Sequence, residues 1–448
     1  MTEETKAYNL VQKLCDNGCK SYITGGAVRD LQLNVNPHDY DIVTEATYEQ
    51  LERIFNTHNF KKVGKSFEVA MVDGIEIAGY RIDTYPDPNV RSECVVDLAN
   101  TLEEDLSRRD LTINSMAYCP YNGNLIDPYN GAEDLKNRVI RFTGDAHRRI
   151  LEDPCRILRA CRFLALLDGT FHESTLEALK KHSHLVKGIA SDRIQKELIK
   201  VLSYEKPSIF FRALEEIGIL NFVFPSLHNC IGLAGGNHHD EDVFDHCLLV
   251  GDAISRKNPI VRLAGFLHDV GKVTASKIQE DGDIKFIGHE KDGVDPIFNE
   301  LTALKFSNDD INTIIGLVSL HMRQIEDVKA KTIRRLLITL SEFNLTWKEW
   351  LQIRVADRKG NLTKVPHSRE AIKNFVLTFH RVLHPSKNVN VALKVTDLAI
   401  NGNDVITLLN IRPSAQIGIV LNGLLELVLD EPELNTFETL SNIVLQTK

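Results

Sequence analysis

Residues 22–44, YITGGAVRDLQLNVNPHDYDIVT, decide the fold. "SYIT" reads as a short strand running into Gly25-Gly26, "AVRDLQL" has helical spacing, and "HDYDIVT" alternates as a second strand. A strand that enters a helix through two glycines turns backbone N–H groups outward with no Cβ to hold a phosphate away. Arg29, one turn into the helix, is placed to add a charge-assisted bond to such a phosphate. Asp39 and Asp41 are separated by one residue, so on an extended strand they share a face. Two carboxylates that close repel unless a cation lies between them, and hard oxygen ligands suit Mg²⁺. A solvated strand edge is the competing explanation of D-x-D. Glu76, in "GIEIAGYR", is the candidate third metal carboxylate, with Asp73 and Asp83 as competitors.

Working outward, an amphipathic helix precedes this stretch, and residues 45–60 form another. "EVAMV" and "IEIAGYRI" read as strands, and "SRRDLTINSMAYCP" as a helix start after a polar linker. Residues 1–145 are therefore expected to be a mixed α/β head. From "RRILEDPCRILRACRFLALL" onward strand signals nearly vanish, and the pattern predicts helices with breaks at Gly169, Pro207 and Pro225. The fold class is α+β: a head with a mixed sheet (1–145), a helical neck (146–225), a second helical domain (226–360) and a helical C-terminal domain (361–448). There is no internal repeat or low-complexity tract.

Length agrees with several modules, since 448 residues exceed what one core usually serves, and 43% hydrophobic residues supply cores. The eight cysteines form no paired CxxC clusters; Cys15 and Cys19 find no matching pair for a zinc site. No run approaches the roughly 20 apolar residues of a membrane span. The expectation is a soluble cytoplasmic protein with reduced thiols. A net charge of −9 argues against a chain coated in nucleic acid. Between Lys136 and Arg162, however, basic residues outnumber Asp145, Glu152 and Asp153, so a polyanion can bind locally.

"GGAVRDLQLNVNPHDYDIVT", "LEEDLSRRDLTINSMAY" and "LEDPCRILRACRFLA", in this order, resemble the motifs of the class II tRNA nucleotidyltransferases, the CCA-adding enzymes and bacterial poly(A) polymerases. The likeness covers about the first half of the chain. It implies a nucleotidyltransferase head in which Asp39 and Asp41 are catalytic and carry Mg²⁺, with Gly25, Gly26 and Arg29 at the triphosphate. It also implies that Arg109 and Asp110 of "RRD" meet the phosphates and sugar of the incoming nucleotide. Asn34 stands where the family usually has glycine. The partners implied are tRNA, CTP and ATP.

Asp153, Arg156, Arg159 and Arg162 recur every three residues, which on a helix lines one face. Cytosine and adenine both present an exocyclic amino donor beside a ring-nitrogen acceptor. A carboxylate at Asp153 accepting from the amino group and Arg156 donating to the ring nitrogen would select C and A together, leaving Arg159 and Arg162 for the triphosphate. A row of surface ion pairs is the plainer account. Residues 81–105 match the position of the family's flexible loop at full length, which favours complete CCA addition over A-only addition. "GKSFEV" at 64–69 and the ending "LQTK" lack the features of a poly(A) polymerase, which becomes the alternative.

Downstream, His246, the pair His268-Asp269, and Asp357 resemble the HD superfamily of metal-dependent phosphohydrolases. The resemblance implies a divalent transition-metal site on these four residues in the 226–360 domain. His289 and His321 either bring a second metal or are ordinary helix-end histidines. Related bacterial CCA-adding enzymes carry such a domain, to which phosphatase and 2′,3′-cyclic phosphodiesterase activities are ascribed. The alternative from another class is therefore an HD phosphohydrolase whose head only binds RNA.

Overall fold

The computed structural model describes residues 1–63, 69–84, 95–236, 240–280, 282–326, 328–384 and 391–446. They divide into two compact units, Met1–Phe224 and Pro225–Lys448. Most of "GKSFEV" and the middle of the 81–105 loop lie outside the described residues.

The first unit is built on a seven-stranded mixed sheet in the order β3-β4-β5-β2-β1-β8-β9. The strands are β1 (Ser21–Thr24), β2 (Asp41–Thr44), β3 (Phe60–Val63), β4 (Val69–Val72), β5 (Ile75–Gly79), β8 (Ala117–Cys119) and β9 (Asn124–Ile126). β6 (Arg81–Thr84) and β7 (Val95–Leu98) pair apart from it as an antiparallel ribbon. β2 runs parallel to β5 and antiparallel to β1. The amphipathic helix Glu3–Asp16 packs Val11 and Leu14 on β1, β2 and β5, whose Ile23, Ile42 and Ile77 are buried. Burying each such side chain stabilises by about 1.5–3 kcal/mol.

Two local readings change. Asp39 precedes β2 rather than lying in it, because the strand starts only at Asp41. "SRRDLTINSMAYCP" is not a helix: the helix is Leu102–Ser107, followed by a 3₁₀ turn at Thr112–Asn114 and then β8. The Asp110 carboxylate accepts from the Leu111 N–H and from the Asn114 side chain, which holds the chain in a turn. As expected, strands nearly vanish after the head: among the described residues only two-residue pieces remain, β11 (Thr170–Phe171), which pairs in parallel with β10 (Val139–Ile140) of the head, and β12 (Lys277–Ile278), which pairs with β13 (Ile284–Lys285). Two-residue strands are too short to show a period. Asn34 adopts φ +57°, the left-handed conformation a glycine would take.

Helices follow in the rest of this unit, among them Ala146–Glu152, Cys155–Leu167 and Ser191–Leu202. In the second unit, Val243–Ala253, Pro259–Leu267, Asn308–Leu320 and Trp347–Gly360 pack together around fully buried residues such as Phe266 and Trp350. The Trp350 indole donates to the Leu320 carbonyl at 2.9 Å, joining two of these helices. Further on, Gly402–Leu409, Ala415–Asp430 and Phe437–Gln446 enclose a separate core of Val405, Leu424, Val428, Leu440 and Val444. Among the described residues no helix is long and apolar enough to cross a membrane.

Candidate active site and metal centre

In the head, strand register does the positioning. Thr24 pairs with Asp41 across β1 and β2, and Asp41 pairs with Glu76 across β2 and β5. The end of β1, where the glycines begin, therefore adjoins one carboxylate, and that carboxylate faces a second. Asp41 keeps an exposed edge, but the surrounding protein desolvates it, and this, with Asp39, raises its pKa against the pull of Arg109. Desolvation and Asp41 likewise raise Glu76. A divalent cation between these two adjoining carboxylates would offset the burial and mutual repulsion that raise their pKa values. The competitors are engaged elsewhere: Asp73 accepts from His58 at 2.7 Å and from the Asn59 N–H, and Asp83 pairs with Arg108 at 3.2 Å.

Gly25 has φ +70°, and a Cβ there would lie 2.8 Å from Arg109 Nη1, so the glycine admits that guanidinium beside the chain. Arg109 donates to Asp105 at 3.1 Å, while its buried Nε has no hydrogen-bond partner. Asp105, fully buried, also accepts from Arg108 and from the Arg81 N–H. Burial opposes its ionisation, but the two guanidiniums win and lower its pKa.

Asp110 is a buried hub. It accepts from the Leu111 N–H, from Asn114 at 3.0 Å and from Arg159 Nε at 2.7 Å. Despite burial, Arg159 and these donors hold its carboxyl well below the usual range. Asn114 accepts in turn from Arg29 at 2.9 Å, and Arg29 also grips Asp30. Arg29, Arg159 and Arg162 converge on one ring, with guanidinium carbons 5.1, 5.7 and 4.1 Å from the Phe163 centroid. Arg162 is buried and donates to Glu197 and to the Tyr204 hydroxyl.

The expected single face of Asp153, Arg156, Arg159 and Arg162 is broken at its first member. Asp153 sits between two helices with extended backbone (φ −150°, ψ 97°) because Pro154 follows. Proline has no N–H to continue a helix and drives the preceding residue out of the helical region. Asp153 accepts from Arg193 Nη1 and Nη2 at 3.1 and 2.9 Å and from the Cys155 N–H at 2.9 Å. Arg156 turns inward to Glu152 (2.7 Å) and to the Arg149 and Arg108 carbonyls. Sequence reading missed Asp105, Asn114, Phe163, Arg193 and Glu197. Glu197 had a signal: it falls in the apolar stripe Ile194, Leu198, Val201, all of them buried as it is, where a charge needs a partner.

In the second unit, His246, His268, Asp269 and Asp357 come together, and His289 and His321 join them. His268, His289 and His321 each donate Nδ1–H to a backbone carbonyl, of Gly265, Phe286 and Val318, at 2.9, 2.7 and 2.6 Å. Carbonyls only accept, so these rings carry the proton on Nδ1 and turn Nε2 inward. His246 places Nδ1 3.3 Å from buried Glu241. The Nε2 atoms of His246, His268, His289 and His321 lie 3.6, 3.3, 3.0 and 3.5 Å from Asp269 oxygens. His246 and His268 also face Asp357, at 3.3 and 3.8 Å.

His268 Nε2 is buried without a hydrogen-bond partner, and His289 and His321 oppose Nε2 atoms at 3.1 Å. His246, His268 and Asp357 form one group of ligand geometry and His268, Asp269 and His321 a second, so the residues fit bound metal. Burial lowers the His268 pKa, and despite burial His268 and Lys272 hold Asp269 well below the carboxylate range. Gly271 makes the close approach possible: a Cβ there would lie 2.0 Å from the His289 carbonyl. A cavity of about 550 Å³ opens onto Asp269, His289, His321, Asp357, Lys272 and Arg354.

The chain matches the models of three families: the poly(A) polymerase head domain at residues 21–141, the probable RNA- and SrmB-binding site of polymerase A at 170–231, and the HD domain at 243–341. It is 31% identical over 402 residues to the multifunctional CCA protein of Xanthomonas axonopodis pv. citri, covering 86% of this chain and 92% of that one. Likeness to poly(A) polymerase I of Haemophilus influenzae, 34% over 236 residues, covers 49% and 51%. The crystal structure of the Bacillus stearothermophilus CCA-adding enzyme in complex with CTP superposes with a TM-score of 0.71 at 23% identity, covering 100% of this chain and 98% of that one. With its head, its RNA-binding stretch and its HD domain in that order, the chain belongs to the CCA-adding enzyme family of nucleotidyltransferases.

Proposed function

We propose that this chain builds or repairs the tRNA 3′ end in the cytoplasm by template-independent addition of CCA from CTP and ATP. The observation that carries this reading is the paired register of Thr24, Asp41 and Glu76 beside Gly25 and Arg109. In this reading Asp39, Asp41 and Glu76 would hold Mg²⁺, which supplies charge neutralisation at the attacking 3′-hydroxyl oxygen and the α-phosphate. Gly25, Gly26, Arg29 and Arg109 bind the triphosphate. Arg159 and Arg162, fixed by Asp110, Glu197 and Phe163, set the positive wall of the site. Asp153 accepts from the base amino group, and Arg156 exchanges its bonds to Glu152 and the Arg149 and Arg108 carbonyls for the ring nitrogen when a nucleotide binds. Protein groups thus replace a nucleic-acid template.

The likeness to poly(A) polymerase I spans about half of each chain, whereas that to the multifunctional CCA protein spans most of both, which favours CCA addition over the poly(A) alternative. The test is incorporation into tRNA lacking its terminus, with Mg²⁺ and each nucleotide alone and together. Two C and one A are expected; no incorporation, or undiminished incorporation by Asp39→Ala protein, refutes the reading.

The four converging Nε2 atoms support a second activity, metal-dependent phosphoester hydrolysis in the HD cavity. A divalent transition metal on His246, His268, Asp269 and Asp357 suits the imidazole-rich set and would supply Lewis acidity and an activated water. His268→Ala protein should lose hydrolysis of a 2′,3′-cyclic phosphate while retaining nucleotide addition. Unchanged hydrolysis would sink it.

A further inference from the structure

We propose that Arg354 is the phosphoryl-oxygen ligand of the HD cavity, a substrate-binding residue separate from the metal-ligating set; this rests on reading that cavity as a metal-dependent phosphoester site. A phosphate brought to such a centre needs directional donors besides the metal, and the cations lining the cavity differ in what they have to give: Lys285 and Lys364 are point charges without a planar fork. Lys272 is committed: it is buried, its Nζ lies 2.7 Å from Asp269 Oδ2, and it stacks 5.2 Å from the Phe286 ring centre. It serves as the standing counter-charge of Asp269. Arg358 lines the cavity too, but its Nε is already spent on the Val365 carbonyl at 2.8 Å.

Arg354 differs from both. One turn before Asp357 on the Trp347–Gly360 helix, it donates Nη1 to Asp357 Oδ2 at 2.6 Å. That leaves Asp357 Oδ1 facing His246 and His268. Arg354 lines the cavity, yet its Nε is buried without a hydrogen-bond partner. A buried N–H lacking an acceptor is costly until an incoming group fills it. The guanidinium is thus anchored at one corner on a metal-facing carboxylate and keeps a donor in a fixed plane. The planar fork matches two oxygens of a phosphate, which a lysine's point charge cannot reproduce.

The test uses the full-length chain loaded with Mn²⁺, with inorganic phosphate as the probe. Phosphate is titrated calorimetrically into wild-type, Arg354→Ala and Arg354→Lys proteins, with His268→Ala protein as the blank for phosphate bound at the head. Bound Mn²⁺ is measured on each, and tRNA nucleotide incorporation reports folding. Arg354→Ala should keep its metal and bind phosphate about tenfold to a hundredfold more weakly, as expected for charge-assisted bonds, with Arg354→Lys recovering only part. Unchanged phosphate affinity in Arg354→Ala overturns the proposal. So does loss of Mn²⁺ by that variant, which would make Arg354 an orienter of Asp357 only. Wild-type protein that holds Mn²⁺ but takes up no phosphate in the pocket overturns the proposal and leaves the metal centre standing; failure to hold Mn²⁺ overturns the underlying reading too.

Discussion

Replacing Arg193 by alanine tests the base-reading proposal at a residue assigned no contact with the nucleotide. Two of its N–H groups hold the two oxygens of Asp153 at 3.1 and 2.9 Å, across the joint created by Pro154. A charge-assisted pair of this kind is worth up to about 3 kcal/mol per bond when buried. Here the Arg193 and Asp153 side chains keep 29% and 13% of their exposure, so solvent screens the pair. A loss of about 1–2 kcal/mol of orientation is the realistic figure, roughly 5- to 30-fold in kcat/KM. Because Asp153 is proposed to meet the amino group of both bases, the loss should be similar for CTP and ATP. Steady-state incorporation with each nucleotide measures it, and the far-ultraviolet circular dichroism should not change. Wild-type kcat/KM for both nucleotides would refute the reasoning, and a loss confined to one would show that Asp153 does not serve both.

Three other outcomes are expected. Gly25→Ala should cut incorporation by about a hundredfold without unfolding the head, because its Cβ would displace Arg109 from beside Asp41 and its φ of +70° resists a side chain; wild-type rates would contradict this. Asp110→Asn should lower the melting temperature at neutral pH, and the gap from wild type should narrow in acid. The folded-state pKa of Asp110 is depressed, so its stabilisation is complete above its unfolded value of about 3.9 and is lost as pH falls below that toward the folded value; melting curves from pH 7 to pH 3 decide it. Gly271→Ala should reduce bound metal while nucleotide addition continues, since a Cβ would force the His289 turn away from Asp269; unchanged metal content by plasma mass spectrometry would count against it.

Much of the head could be read directly because its signals are local. Strand, double glycine, helix and a second strand follow one another within residues 22–44, and the structure has them in that order. The tilt of Asp153 out of its helix was legible in principle, since Pro154 forbids the uninterrupted helix that three-residue spacing suggests. Other features were not. That Asp41 adjoins Glu76 depends on strands far apart in the chain adopting parallel register. That Asn114 links Arg29 to Asp110 depends on a turn which local spacing presents as a helix. His289 and His321 read equally as helix-end residues, because nothing near them in sequence reveals that Gly271 packs against the His289 turn.

The imidazoles held by backbone carbonyls carry a thermodynamic consequence for the second unit. Their rings are oriented before any ion arrives, so little ordering entropy is left to lose on binding. An ion that binds the folded state alone stabilises it by RT ln(1 + [M]/Kd), about 2.7 kcal/mol at a hundredfold excess over Kd. Its ligands come from segments spread between His246 and Asp357, so one ion would fasten most of the helices packed around Trp350. The melting temperature of this unit therefore becomes a gauge of metal supply, readable with the head idle and no substrate present.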